Sequence, residues 1–292
     1  MFGRRSDGHR LDHIDPIVQF MPYIMKTRND AMNQIALDAD YDPLAEYIKK
    51  RAKEGHKISF MALLVTAYVR TVAEYPALNR FIMNKQVFAR NSIDVSLTVL
   101  RNAKDKQKQD EALIKMCFEP DATLDEVNAQ IDEKVLEAAN EDEANGTVDF
   151  ASKLIHMRLL VQVVVALAKL LDRYGLLPKA LYDISPFHCS MFITNMASIG
   201  MPALYHHLYN FGNTSMFIAM GKAERRPVPT KEGFAFKNVL PLKVVTDERV
   251  CGGASYAQGM HYFQKLIAHP EMLEKRPERI NYDYDFKAGK KN

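Results

Sequence analysis

The segment KVVTDERVCGGASYAQ, residues 243–258, contains an apolar run, a cluster of charges and a pair of glycines in close succession. The apolar run predicts a buried strand, and Gly252-Gly253 predicts a turn into the following helical pattern. Asp247, Glu248 and Arg249 stand where the strand ends. Three adjacent charges at such a point form either a solvated corner or part of a functional site.

The amino-acid composition argues against some classes of binding partner and indicates a cellular compartment. The chain has 292 residues, 47% of them hydrophobic, which is enough for a sizeable core. Its 39 Lys and Arg nearly balance 36 Asp and Glu, which argues against a nucleic-acid or membrane-surface protein. The three cysteines are odd in number and widely spaced, unlike a disulfide framework or a zinc site. We therefore expect a reducing, cytoplasmic location and no metal.

One apolar segment raises the question of a membrane span. The run LLVQVVVALAKLL, Leu159 to Leu171, includes Gln162 and Lys169. Because a bilayer requires about 20 apolar residues, this run is too short to cross one. We expect a buried helix instead, packed against its own subunit or against a neighbour.

Helical and strand patterns are mixed along the chain, which indicates an α/β protein. Ser59 is a predicted N-cap, and Thr123 with Glu126 forms a capping-box signature. Strands are predicted near 93–100, 112–118, 189–195, 214–221 and 236–247, and helices near 42–55, 60–75, 124–139, 150–174, 202–210 and 254–270. There is no glycine-rich phosphate loop, so a Rossmann domain is not expected.

Standard catalytic motifs are absent from the sequence. It contains no H-E-x-x-H, C-x-x-C, G-x-S-x-G or P-loop motif, which argues against the corresponding zinc, redox, serine-hydrolase and nucleotide-binding functions. His188 stands beside Pro186 and Phe187 just before a predicted strand, where capping or packing is the ordinary role of a histidine. Thr194, taken alone, is an ordinary strand threonine.

The order of four segments suggests a family. They resemble, in sequence order, the catalytic domain of the dihydrolipoamide acyltransferases of 2-oxo acid dehydrogenase complexes, a family that shares its fold with chloramphenicol acetyltransferase. The segments are AEYPALNRFI (73–82), FITNMASIG (192–200), FIAMGKAERRPV (217–228) and VVTDERVCGGASYAQGMHYFQKLIAHPEML (244–273). The resemblance extends from about Leu44 to Leu273, and the Pro-x-Leu-Asn segment and the last strand, turn and helix are its most specific parts.

The resemblance implies an architecture. It predicts a chloramphenicol-acetyltransferase-like two-layer sandwich, in which helices cover a mixed sheet, and a homotrimer with active sites between subunits. On this basis residues 1–273 form one acyltransferase-like domain. Residues 1–20 are an N-terminal arm, residues 140–187 an apolar helical insertion, and residues 274–292 a polar C-terminal tail.

The same resemblance assigns roles to residues of the opening segment. The family motif reads D-H-R-x-x-D-G, and its histidine is the general base that deprotonates the thiol of coenzyme A or dihydrolipoamide. In this chain Glu248 replaces the histidine and Gly252 replaces the second aspartate, whereas Asp247, Arg249 and Gly253 are kept. The loss at Gly252 leaves Arg249 able to pair with Asp247 or Glu248.

The remaining chemistry leaves two functions open. Thr194 falls on the family's hydroxyl residue, which stabilises the oxyanion of the tetrahedral intermediate. A glutamate, with an ordinary pKa of about 4.3, deprotonates a thiol poorly. The protein is therefore either a coenzyme-A-dependent acyltransferase that uses Glu248 or the nearby His188 as base, or a non-catalytic trimeric scaffold or binder of coenzyme A or an acyl ligand. Because no lipoyl domain or Ala/Pro-rich linker is present, we expect no covalent lipoyl group.

Overall fold

The computed structural model of the chain describes residues 5–101, 110–140 and 157–283. The strands are β1 (Gly8–Arg10), β2 (Met32–Asp40), β3 (Arg80–Met83), β4 (Gln86–Arg90), β5 (Ile93–Arg101), β6 (Asp110–Phe118), β7 (Met191–Asn195), β8 (Met216–Met220), β9 (Glu224–Thr230) and β10 (Gly233–Asp247). The helices are α1 (Pro16–Ile24), α2 (Tyr41–Lys53), α3 (Phe60–Glu74), α4 (Leu124–Asn140), α5 (Arg158–Arg173), α6 (Lys179–Ile184) and α7 (Gly253–Ala268). Short 3₁₀ turns join several of them, including Met196–Ile199 and Glu248–Val250.

Two sheets organise these strands. The larger has the order β2-β10-β8-β7-β5-β6, with β9 paired to β10, and the smaller has the order β1-β4-β3. Strand β7 runs parallel to β5 and β8, whereas the other pairings are antiparallel. The predicted α/β class with a mixed sheet is confirmed.

The two faces of the larger sheet are covered differently. Alternate residues of β10, such as Leu242 and Val244, face a core that includes apolar side chains of α2, α3, α4 and α7. Helix α3 is the centre of this core, since every residue from Ala62 to Ala73 is buried. On the opposite face Val245 joins a smaller cluster with Phe192, Leu208 and Phe217. Helices therefore cover one face, as predicted.

The predicted helix starts are confirmed by their hydrogen bonds. Ser59 Oγ accepts a hydrogen bond from the Ala62 backbone N–H at 3.0 Å at the start of α3. The Glu126 carboxylate accepts one from the Thr123 backbone N–H at 2.8 Å, and Glu126 N–H donates back to Thr123 Oγ1 at 3.4 Å. Both contacts satisfy backbone groups that a helix terminus leaves unpaired.

The short helix predicted at 202–210 does not form. Residues 201–209 have irregular backbone and lie against the sheet, where Leu208 is fully buried and the His206 ring stacks on Phe217 at 4.3 Å. At Gly221 an added Cβ would come within 2.2 Å of the Ala203 backbone nitrogen. This close packing against the sheet outweighs the helical propensity of the segment.

The apolar helix α5 is not buried within its own protomer. Leu159 is 79% exposed and Val163 62% exposed, so the expected packing against its own subunit is wrong. The helix ends as predicted, because Gly175 has a φ of +70° and its N–H donates to the Asp172 carbonyl at 3.0 Å. Residues 141–156 of the predicted insertion lie outside the described residues. Within the described ranges no helix combines the length and apolarity that a membrane crossing needs.

Both ends of the described chain are attached to the domain. In the predicted N-terminal arm β1 pairs with β4, and α1 lies against the turn Glu248–Val250. In the predicted tail Asp283 forms a buried ion pair with Arg80, at 2.5 and 2.6 Å. The Asn281 N–H also donates to the Ala73 carbonyl at 2.8 Å. The predicted polar tail is therefore packed against the domain as far as residue 283.

Candidate functional site

The charged corner after β10 is built on a buried ion pair. Arg249 donates from Nε to Asp247 Oδ1 at 2.7 Å and from Nη2 to Oδ2 at 2.6 Å. The Arg249 backbone N–H also donates to Asp247 Oδ1 at 3.2 Å, and Nη1 donates to the Met25 carbonyl at 3.0 Å. The predicted pairing of Arg249 with Asp247 is confirmed. This bidentate contact fixes the turn between β10 and α7.

Glu248 stands between these two buried residues but is itself partly exposed. It lines a pocket of about 260 Å³ together with Ile17 and Met21 of α1, Asn33 of β2 and Tyr256 of α7. The wall around Glu248 therefore comes from three separate elements. The predicted base position thus opens into a real, if small, cavity.

Position 252 has space for a side chain. Gly252 has an ordinary φ of −68°, and a Cβ added there would meet nothing within 4 Å. Gly252 also lines the Glu248 pocket. Backbone conformation and packing therefore do not require glycine here, and the family's aspartate would fit without strain.

Cys251, the third cysteine of the sequence, also lines this pocket. Burial raises the pKa of its thiol to about 11, with Arg80 acting in the opposite direction. A thiol that stays protonated at neutral pH is a poor nucleophile. Cys251 therefore does not replace the missing base with a nucleophile of its own.

Thr194 lies far from Glu248 within one protomer. In the sheet register Thr194 of β7 is paired with Ala219 of β8, which is paired with Lys243 of β10. Asp247 lies four positions beyond Lys243 along β10. Strand β8 separates β7 from β10. At about 3.3 Å per residue and about 4.8 Å per strand, Thr194 and Asp247 are roughly 16 Å apart, and Glu248 follows Asp247 beyond the end of the strand. One protomer does not bring the predicted base and oxyanion stabiliser together.

Exposed apolar side chains accompany each of these separated positions. Ile199, in the 3₁₀ turn that follows the strand of Thr194, is exposed, and the exposed Ile17 of α1 lines the Glu248 pocket. Thr194 is partly exposed, and its hydroxyl donates a hydrogen bond to the Met196 sulfur at 4.0 Å. Both halves of the predicted site therefore lie beside surfaces that could be covered by another chain.

His188 belongs to a different, buried network. Its Nδ1 lies 2.8 Å from Ser185 Oγ and its Nε2 lies 3.2 Å from Asp172 Oδ2, and the residue is 2% exposed. Both ring nitrogens are engaged and the ring is closed off from solvent. His188 is therefore not positioned to act as the substitute base, which corrects that part of the prediction.

The centre of this network is Asp172. Besides His188 it binds Arg5 Nη2 at 2.7 Å and the Tyr182 hydroxyl at 3.1 Å. Burial opposes ionisation of Asp172, but the hydrogen bond and charge of His188 and the charge of Arg5 outweigh it and lower the pKa to about 2. Sequence reasoning missed Arg5 and Asp172, which are 167 positions apart and share no local signal. The network stabilises the end of α5 against the sheet.

Across the parts of the chain that the structure describes, no group of three or more His, Cys, Asp or Glu side chains could hold a metal ion. The chemistry available at the corner is therefore that of Glu248, the Asp247–Arg249 pair and, from another region of the sheet, Thr194.

Comparison with known proteins agrees with the resemblance found in the sequence. Residues 188–274 match the family described as 2-oxoacid dehydrogenases acyltransferase (catalytic domain). No curated protein matches the chain significantly in sequence.

Solved structures of similar fold cover nearly the whole chain. The cubic core of the pyruvate dehydrogenase multienzyme complex is 14% identical, with a TM-score of 0.58 over 91% of this chain and 94% of that one. Dihydrolipoamide acetyltransferase of Azotobacter vinelandii is 15% identical, with a TM-score of 0.57 over 90% and 94%. A chloramphenicol acetyltransferase is 15% identical, with a TM-score of 0.51 over 90% and 98%. The chain thus has the chloramphenicol-acetyltransferase-like fold, and its residues 188–274 match the catalytic domain of the 2-oxo acid dehydrogenase acyltransferases.

Proposed function

We propose that this protein is a homotrimeric acyltransferase-fold protein that binds coenzyme A or an acyl thioester between subunits and transfers the acyl group very slowly or not at all. The observation that carries the proposal is the corner itself. Its structural ion pair, Asp247 with Arg249, is intact, while the base position holds the partly exposed Glu248. On this proposal the corner keeps the framework of an active site but lacks the imidazole that would deprotonate a thiol efficiently.

The comparison with the Azotobacter vinelandii enzyme supports this view. Its structure was studied for the roles of a serine, a histidine and an asparagine, the last two being four residues apart, in the catalytic mechanism. Glu248 and Gly252 have the same separation, and Thr194 offers a hydroxyl. On this matching the hydroxyl is retained, whereas the histidine and the side chain four residues later are lost. A solvated carboxylate is a much weaker base toward a thiol than imidazole is.

The distance between the two half-sites supports an oligomer, for which the family resemblance suggests three subunits. Thr194 and Asp247, the residue before Glu248, are roughly 16 Å apart along and across the strands of one protomer, by the standard strand spacings. A site that uses both must therefore draw them from two protomers, and each lies near exposed apolar side chains. The free cysteines fit the cytoplasmic location that we propose.

Two measurements test binding and assembly. We expect light scattering to give about three times the 33.3 kDa chain mass, and calorimetry to show binding of coenzyme A or acetyl-coenzyme A. A monomer across micromolar concentrations would contradict the proposed assembly. A trimer that binds neither compound would leave only the scaffold function.

Restoring the family pattern tests the loss of chemistry. Because position 252 has open space around it, Glu248→His combined with Gly252→Asp should fold and should gain transfer from acetyl-coenzyme A to dihydrolipoamide. A general base contributes about 10²–10⁴-fold, so the gain should be at least about tenfold. Each single substitution is the matched control. A folded double variant no faster than wild type would show that more than the base has been lost.

A further inference from the structure

A second pocket lies between α1, the β3–β4 hairpin and the end of α5. It has a volume of about 400 Å³ and does not include Glu248 or Thr194 in its lining. Its walls are strongly basic. They carry the side chains of Lys26, Arg28, Lys85, Lys169, Arg173 and Arg249.

Arg28 is the most unusual of these residues. It is 6% exposed, and none of the residues that the structure describes forms an ion pair with it. Its guanidinium donates only to backbone carbonyls, from Nη1 to Tyr209 at 3.1 Å and from Nη2 to Ile82 at 3.3 Å. The Nε–H is buried and has no partner. A buried charge with an unmet donor is unfavourable unless a counter-ion completes it.

The charges around Arg28 also indicate that it lacks a counter-ion. Burial lowers its pKa to about 10; Asp247 raises it, and Arg249 lowers it further. Asp247 is already bound by Arg249 in a bidentate pair. The carboxylate that most favours the charged form of Arg28 is therefore shared with a second arginine and leaves Arg28 incompletely neutralised.

The acidic side chain at this pocket is also engaged elsewhere. Asp172 lines the pocket but is held by Arg5, Tyr182 and His188. Asp172 therefore does not neutralise the exposed cationic side chains of the pocket. Lys26 and Lys169 are exposed, and Arg173 donates from Nε to the neutral Asn84 side chain at 2.9 Å. The pocket consequently has a net positive charge with donors on several sides.

Lys85 adds a conformational observation. It is the second residue of the two-residue turn Asn84–Lys85 and has a φ of +61°. Such a turn favours glycine at this place, because a side chain is strained at positive φ. The Lys85 side chain lines the pocket, and its ammonium group lies 5.1 Å from the centre of the Tyr23 ring of α1. A lysine is thus held at the pocket in a position where glycine would be easier to accommodate.

We propose that this pocket binds a small phosphate-bearing anion, with Arg28 as the buried ligand and Lys85, Lys169 and Arg173 as outer ligands. Guanidinium and ammonium groups bind phosphate oxygens through charge-assisted hydrogen bonds. Such a ligand neutralises the excess of cations at the pocket and supplies Arg28 with the counter-charge that it lacks. This inference goes beyond the proposed function, because it uses neither the thiol site nor acyl transfer.

Calorimetric titration with inorganic pyrophosphate at constant ionic strength tests the proposal. We expect saturable binding to wild type, accompanied by a rise in melting temperature, because a ligand of the folded state stabilises it. Arg28→Gln should abolish binding if it folds. Lys85→Gly removes a cation and relieves the positive φ, so it remains folded and should weaken binding about threefold, within the range of an exposed charge pair.

Matched variants and other anions test whether the binding is specific to this pocket and to phosphate. Lys85→Gly with Lys169→Gln should weaken pyrophosphate binding about tenfold, by roughly additive losses of two exposed contacts. Lys231→Gln, in the exposed β9–β10 turn, should leave binding unchanged. No saturable binding by wild type, equal loss in the Lys231 control, or an equal effect of chloride at the same ionic strength would overturn the proposal. Equal affinity for malonate would overturn the assignment to phosphate.

Discussion

Neutralising Asp247 tests whether the charged corner is a structural element. Asp247→Asn keeps the size of the side chain but removes its charge and turns one acceptor into a donor that faces a guanidinium. The side chains of Asp247 and Arg249 are 0% and 3% exposed. Removing one partner of a buried ion pair costs about 3–5 kcal/mol of unfolding free energy. Arg28 is also stabilised by Asp247, so we expect the upper part of that range.

Urea unfolding followed by circular dichroism, at one fixed protein concentration, measures this cost. Arg249→Met is the partner variant, and the double variant completes the cycle. Because the double variant leaves no unpaired Arg249, it should be more stable than Asp247→Asn alone. A loss below about 1 kcal/mol for Asp247→Asn, the value typical of an exposed pair, would refute the reasoning.

Two further predictions concern other buried groups. Asp172 has its pKa lowered from the ordinary 3.8 to about 2 in the folded protein, so its ionised form stabilises the fold by about 2 kcal/mol above pH 4, and this contribution is lost as the pH falls toward 2. Asp172→Asn should therefore be less stable than wild type at pH 6, with a difference that shrinks as the pH falls; a constant difference would contradict the role of this charge. Gly212 has a φ of +76°, and an added Cβ would lie 2.1 Å from the Phe187 carbonyl oxygen. Gly212→Ala should cost more than about 2 kcal/mol in urea unfolding, whereas Gly253→Ala, which has open space, should be neutral; equal effects would show that the close approach is not limiting.

The sequence predicted what depends on short-range signals. Three or four adjacent residues are enough to predict the helix caps at Ser59 and Thr123. The same is true of the turn at Gly252 between a strand and a helix. The pairing of Arg249 with Asp247 is equally local, since the two residues are two positions apart. Periodicity and capping signals were therefore enough to predict the class of fold and the local structure of the charged corner.

Features that depend on distant contacts were not predicted. Arg5 meets Asp172 across 167 positions, and Arg28 meets the Tyr209 carbonyl across 181. Neither pair leaves a local pattern. The segment 202–210 was assigned by propensity to a helix that sheet packing overrides. An apolar pattern likewise shows that α5 has an apolar surface, but not which chain covers it.

The initial rate of acetyl transfer from acetyl-coenzyme A to dihydrolipoamide, in wild type and in Glu248→Gln, tests the proposed function most directly. Glu248→Gln keeps the shape of the side chain and removes the proton acceptor. We predict a very low wild-type rate that the substitution leaves unchanged. A wild-type rate in the ordinary enzyme range of about 1–10³ s⁻¹, lost in Glu248→Gln, would show that Glu248 is a working general base and that the protein is an active acyltransferase.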